Sequence, residues 1–372
     1  MMSTARFFAT MAALMLVRQI APAAEGQLIA LAGKDARVEF PRVASKRFVT
    51  AIGWVEKQPS GLHWVWLVSY KDAQIPAGKA LRDARVVSPL EPGTNSDLAL
   101  AIDPKTSQPA IAWIHQIDGV STLRFSDKGG RTLETITQSG NLLDPPVLCY
   151  DDAGTAYAAW SEVAGGSSQL FVANRSEDGW NARSVSVGTR PYDVIPQLFA
   201  GPNGAEVYWF SVQSGDSAAL SASINGGNLG ATESLSLGAI PANRLPILYP
   251  VRPGNRLGAY WVEQRPEGEV YLNIDPRDGH DGTPQVVGGE ANRTQQLTFS
   301  ADGDGTAAWI DAPGSGERYL TISSRERGQF TKAISDEARE PVVTTTDNWV
   351  HSVWIDSHSP DGNGTLWYWR VH

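Results

Sequence analysis

The chain has 372 residues, 42% hydrophobic and 19% charged, with 36 Gly and 23 Pro, which is the composition of a folded, turn-rich protein. Its formal net charge of -9 disfavours phosphate backbones and anionic membrane surfaces as partners. A single cysteine, Cys149, excludes an internal disulfide.

The first element reads as a targeting segment. Arg6 supplies a positive start, Phe7 to Val17 form a short apolar stretch, and Ala21-Pro22-Ala23 fits the small-x-small cleavage rule. Residues 1–23 are therefore expected to be a signal peptide, with cleavage after Ala23 or Ala24. The remaining 24–372 are expected to be one domain with no membrane insertion after cleavage. The apolar stretch is too short to span a bilayer. An exported protein without disulfides behind such a signal points to a bacterial periplasm, or to secretion.

From residue 51 onward one pattern recurs: small or β-forming residues, then Trp, then an apolar or small residue, then a polar one. It appears as AIGWVE, AIAWIH, YAAWSE, EVYWFS, GAYWVE, TAAWID and HSVWID, centred on Trp54, Trp113, Trp160, Trp209, Trp261, Trp309 and Trp354. The spacings are 59, 47, 49, 52, 48 and 45 residues. A period of that size means a propeller or a solenoid. The third unit decides between them. PPVLCY, TAYAAWSE, QLFVANR and ARSVSV are four short strands separated by DDAG, GGSS and SEDG turns. One four-stranded sheet per repeat predicts an all-β, seven-bladed β-propeller, with six or eight blades as the alternatives if a degenerate unit is miscounted. The recurrent Trp is expected to fill the gap between neighbouring blades.

The seventh unit runs out of chain one strand short, after REPVVTTT, HSVWID and TLWYWRVH. QLIALAG or DARVEF, ahead of a first unit beginning near Pro41, is a spare strand that would complete it and remove two exposed sheet edges. Trp64 and Trp66 fall in the third strand of the first unit, Trp367 and Trp369 in that of the last. The reading places all four near the ring seam.

The turns between third and fourth strands read SDKGGRTL at 126–133, SEDGW at 176–180, SINGGNL at 223–229 and SRERGQF at 324–330. They resemble the S-x-D-x-G-x-T-W Asp boxes of sialidase-like (BNR-repeat) propellers. Ser126, Gly130 and Thr132 match, while Lys128 stands for the Asp and Leu133 for the Trp; Ser176, Asp178 and Gly179 match in a shortened turn. The resemblance implies a fold relative. Sialidase activity would also need an Arg cluster, a Tyr–Glu nucleophile pair, an acid Asp and an Arg-Ile-Pro motif. The nearest text, Phe40-Pro41-Arg42-Val43, has that order reversed. Enzymes of that family are also typically six-bladed.

A propeller's site is expected at the channel mouth where first strands begin and second strands end. Two residues after each Trp stand Glu56, His115, Glu162, Ser211, Glu263, Asp311 and Asp356. This ring could hold a cation or cationic ligand. Alternatively each acid accepts local backbone N–H bonds, a device copied by duplication. The first-strand starts add Asp97, Asp144, Asp193, Arg244, Arg293 and Arg339. The arginines suit a carboxylate or sulfate, or pair with Asp311, Asp356 or Glu340.

No metal or cofactor is expected. The six histidines lack ligand spacing, and the Asp/Gly runs at 275–282, 302–305 and 361–364 read as hairpin turns without the twelfth-position acid of an EF-hand. Cys149 reads as a buried, inert thiol. The function expected is non-enzymatic binding or scaffolding of a protein or glycan at the channel mouth. The alternative is a sialidase-like glycan hydrolase or lyase using two of Glu56, Glu162, Glu263, Asp311 and Asp356. A third reading is an accessory role in periplasmic redox chemistry.

Overall fold

The computed structural model describes residues 27–30, 37–71, 83–186, 192–213, 216–225, 227–235, 247–251, 256–265, 268–274, 285–288, 295–300, 306–311, 318–324, 327–336, 338–346, 349–356 and 365–371. The elements given among the described residues are all β-strands. They pair into five four-stranded sheets and one of ten strands.

Each four-stranded sheet is an antiparallel meander. The first unit comprises Arg37–Lys46, Val49–Lys57, His63–Lys71 and Arg85–Val86, and the second Thr94–Ile102, Pro109–Ile117, Val120–Ser126 and Glu134–Ser139. The ten-stranded sheet contains the third and fourth units, joined by a single parallel bridge between Ser168 and Tyr192. The first unit starts at Arg37, earlier than expected, so DARVEF contributes to its own first strand. The spare strand is Gln27–Ala30. It pairs antiparallel with Thr365–Val371, Gln27 opposite Arg370 and Ala30 opposite Trp367. The last sheet therefore has four strands drawn from both ends of the chain.

The seven repeat tryptophans are all buried, at 0–2% exposure. Five seams show the same arrangement: the Trp of each unit packs back onto the preceding one. Trp113 joins the cluster of Val49, Ala51 and Leu67, Trp160 that of Ala99, Ala112 and Phe125, and Trp209 that of Tyr157 and Leu170. Trp354 lies with Ala308, Ile310 and Leu320. Trp54 lies with Val353, Leu366 and Tyr368, so the first and last sheets share a core. Small residues recur beside the indoles because a large ring needs a shallow facing surface. With about 200 Å² buried per indole at roughly 25 cal/mol per Å², each contributes on the order of 5 kcal/mol before entropy.

Trp64, Trp66, Trp367 and Trp369 do not gather at one seam. Trp66 stacks on Trp54 with centroids 6.0 Å apart, between the first and last sheets. Trp367 and Trp369 pack instead toward the sixth unit with Trp354. The reason is the pleat: side chains two apart share one face, and that face of the last sheet looks back to its predecessor.

The Asp-box-like turns are hairpin devices here. The Ser126 hydroxyl donates to the Thr132 carbonyl, the Asp127 N–H donates to Thr132 Oγ1 at 2.8 Å, and Lys128, Gly129 and Gly130 all take positive φ. In the shorter turn, Ser176 Oγ donates to the Gly179 carbonyl at 3.0 Å.

Candidate functional site

Four of the five predicted strand-end acids, Glu56, Glu162, Asp311 and Asp356, are engaged within the protein. Glu162 accepts from Ser139 Oγ at 2.9 Å and Trp160 Nε1 at 3.4 Å. Asp311 accepts from Trp309 Nε1 at 2.9 Å and Thr321 Oγ1 at 2.6 Å. Asp356 is buried and accepts from both the N–H and the hydroxyl of Ser335. Ser139 ends the fourth strand of the second unit, and Ser335 follows that of the sixth. In both cases the acid therefore clamps its own unit to the previous one. Glu56, half-buried, accepts from Gln58 Nε2 at 2.7 Å. In place of the expected backbone donors of the following loop stand an indole at Glu162 and Asp311, groups of the preceding unit at Glu162 and Asp356, the Thr321 hydroxyl of the same unit at Asp311 and the Gln58 side chain at Glu56.

Where the repeat lacks its acid, the first strand supplies polarity. Ser211 faces Asp193 in the register, and Asp193 is fully buried beside Ser186, Ser211 and Trp209. Burial raises its pKa, and those neighbours partly hold it down. His115 pairs with Asn95, whose Oδ1 lies 2.9 Å from His115 Nδ1. Its other ring nitrogen is 3.5 Å from Glu91, which also pairs with Arg124. Burial and Arg124 lower the imidazole pKa, against Glu91. Arg244 and Arg293 lie outside the described residues, as does the side chain of Glu263.

A different set of charges converges at the mouth where first strands begin. Register shifts fall between Glu39 and Arg42, Ser96 and Ala99, Val194 and Gln197, Gln295 and Thr298, and Arg339 and Val342. Each is a bulge at the same position relative to the repeat Trp. Phe40, Asp97 and Glu340, the first residues of three of these bulges, all have φ between 51° and 53°. Pro41, Pro196 and Pro341 follow in three of the five, where a bulge leaves a backbone N–H without a ladder partner and proline has none to lose. Bulges re-aim side chains.

Here they bring together Arg42, Asp97, Asp144, Arg339 and Glu340 from four different sheets. Arg42 is flanked electrostatically by Asp97 of the second unit and Glu340 of the seventh; burial lowers its pKa, and both acids oppose that. The Glu340 carboxylate accepts from the Phe40 N–H at 2.9 Å and lies 3.8 Å from Arg339 Nε. Burial raises its pKa, while the Phe40 N–H, Arg339 and Arg42 hold it down. Burial also raises that of Asp144, and the charge of Asp97 raises it further. Arg339 additionally reaches the Val38 carbonyl at 3.5 Å.

Of the predicted residues, Asp97, Asp144 and Arg339 belong to this cluster. Sequence reading missed Arg42, although its Phe-Pro-Arg-Val segment had been singled out; the recurring bulge proline was the available signal. Three exposed apolar side chains lie on the chain running into first strands on the same side: Leu90, Leu142 and Tyr192, at 69%, 61% and 46% exposure. Among the described residues, no three His, Cys, Asp or Glu side chains are placed to hold a metal ion.

No protein-family model matches this sequence, and no curated protein matches it. Solved structures do match in fold. An oligogalacturonate lyase in complex with manganese is 9% identical with a TM-score of 0.58, covering 94% of each chain. The polysaccharide lyase Uly1 is 9% identical with a TM-score of 0.51, covering 89% of each. A puromycin-hydrolyzing peptidase of Mycobacterium tuberculosis is 11% identical with a TM-score of 0.53 over 91% of this chain. The present chain spans only 54% of that peptidase's length. The shared architecture is the β-propeller.

Proposed function

We propose that the chain is an exported, seven-bladed β-propeller that binds a protein or glycan ligand at the first-strand mouth of its channel. The two halves of the ten-stranded sheet count as separate blades in this reading, and Gln27–Ala30 closes the ring on the last strand. Residues 1–23 direct export to the periplasm and are removed, and 24–372 form the single domain.

The observation that carries the binding reading is the bulge cluster of Arg42, Asp97, Asp144, Arg339 and Glu340, with Leu90, Leu142 and Tyr192 beside it. Charges of both signs set in an apolar rim suit a ligand that is itself polar and uneven in charge. Glu162 and Asp356 hold neighbouring blades together, and Glu56 and Asp311 are engaged within their own, so the binding reading rests on the bulge charges.

A second reading, a glycan lyase or hydrolase, draws on one specific feature. The pKa of Asp144 is raised by burial and by the charge of Asp97, Arg42 lies next to Asp97, and two neighbouring carboxyl groups in unlike surroundings are the raw material of acid–base catalysis. Two fold neighbours are named as an oligogalacturonate lyase and a polysaccharide lyase, so uronate-bearing oligosaccharides are the first probes.

The test is a glycan array with neutral and uronate-bearing oligosaccharides, followed by titration calorimetry of any hit against Arg42→Gln and the double variant Asp97→Asn/Asp144→Asn. Binding lost in both variants, with unfolding midpoints within a few degrees of the parent, supports the site. Binding unchanged in both overturns it. Turnover of a bound glycan, abolished by Asp144→Asn alone, would select the enzyme.

A further inference from the structure

The opposite end of the channel holds a cavity of about 790 Å³, within the range of small-ligand sites. It is lined by the later halves of the first strands of units one to four, by the hairpin after the fourth unit's first strand and by Thr344 of the seventh, with Leu100, Leu148 and Tyr208 among its walls. Its charged lining is sparse. Lys46, half-buried at the end of the first unit's first strand, has no hydrogen-bond or ion-pair partner among the described residues. Asp152 and Glu206 line it from the third and fourth units, and Glu206 accepts from the Tyr208 hydroxyl at 2.6 Å. The cavity thus offers one uncommitted cation on one unit, two carboxylates on others, and apolar walls between.

We infer that this cavity binds a small apolar zwitterion, a free dipeptide or tripeptide, with the carboxylate on Lys46 and the ammonium on Asp152 and Glu206. A simple anion meets Lys46 but also two acids, and a simple cation meets the acids but also Lys46. Only a ligand carrying both charges, separated by an apolar body, matches all three groups and the walls. The site is separate from the bulge cluster at the other mouth and does not depend on the ligand proposed there.

The chain carries its own reporter. Cys149, the single cysteine, is half-buried and lines the same cavity; burial and then Asp151 push its thiol pKa up, against the opposing charge of Lys46. A bound peptide should shield it.

The experiment measures the rate at which a neutral disulfide reagent modifies Cys149 in the mature protein, with increasing leucylvaline. N-acetyl-leucylvaline, leucylvaline amide and octanoate serve as comparators. Saturable protection is expected with leucylvaline, weaker by at least tenfold in apparent affinity with either blocked peptide and absent with octanoate. Lys46→Met should equalise the free peptide and its amide, and Asp152→Asn/Glu206→Gln should equalise the free peptide and its acetyl derivative. Lys46→Arg should keep the parent behaviour, and near-ultraviolet tryptophan dichroism checks that each variant is folded. Protection by octanoate equal to that by leucylvaline, or no saturable protection by any peptide, overturns the assignment. Arg42→Gln at the other mouth should leave the protection unchanged.

Discussion

The indole Nε1 of Trp309 donates to Oδ1 of Asp311, 2.9 Å away and two residues along the same strand. Side chains two apart on a strand share one face, so the contact costs no backbone distortion. The same geometry recurs at Trp160 and Glu162. It accounts for the acid in these two units, whereas the indole N–H groups of Trp54 and Trp354, each also two places before an acid, are buried without a hydrogen-bond partner.

Replacing Asp311 with Ala therefore removes an acceptor from both the indole and the Thr321 hydroxyl. Leaving such donors buried costs about 1–3 kcal/mol. Urea unfolding should show that loss for Asp311→Ala and a smaller one for Asp311→Asn, which keeps a carbonyl acceptor. Equal losses in the two variants would mean that charge, rather than hydrogen bonding, matters there.

His351 is fully buried, with Nδ1 2.7 Å from the Tyr368 hydroxyl. Burial, Arg370 and Arg327 push its pKa down to about 3. Between that value and about 6.5 the unfolded chain binds a proton that the folded protein refuses. Stability should therefore fall as the pH drops below about 6.5, with this residue contributing a slope approaching 1.4 kcal/mol per pH unit, roughly the full linkage value. Unfolding series at pH 7 and pH 5, comparing the parent with His351→Gln, isolate this contribution from the carboxylates. A difference that does not change with pH would refute it.

Asp144 lies under two influences, its own burial first and the charge of Asp97 second. Asp97→Asn removes only the second. Carboxyl-carbon NMR titration should then show the Asp144 pKa falling in the variant while staying above an ordinary aspartate. A pKa unmoved by the substitution would separate the two residues and weaken the acid–base reading.

Removing residues up to Ala30 strips the fourth strand from the last sheet and bares the edge of Thr365–Val371. An open edge both forfeits ladder hydrogen bonds and invites pairing with other chains. The expected outcome is a loss on the order of 2–4 kcal/mol, given about 1 kcal/mol per hydrogen bond, together with concentration-dependent association in light scattering. A truncated protein that stays monomeric and equally stable would mean that this strand contributes little to the last sheet.

Much of the architecture was legible because it is periodic. The Trp spacing, the alternating small residues and the Gly/Asp turns are local chemistry, and each dictates strands and hairpins without long-range information. The unpaired last unit likewise announced a partner strand, and Gln27–Ala30 provides it. Position along a strand, however, does not reveal which neighbour a side chain meets. Glu162 and Asp356 look alike in sequence to mouth residues, yet each meets a serine from the preceding unit, 23 and 21 residues upstream.

The repeat of tryptophans and turns was enough to specify sheets and their order, since pleat and turn geometry follow from nearest neighbours in the chain. Only the tertiary structure decided which charges meet. A one-residue bulge, present near the start of five first strands among the described residues, turns Arg42, Asp97 and Glu340 toward one another from sheets far apart in sequence. That outcome depends on the angle between sheets and the depth of burial, neither of which any single stretch of sequence contains.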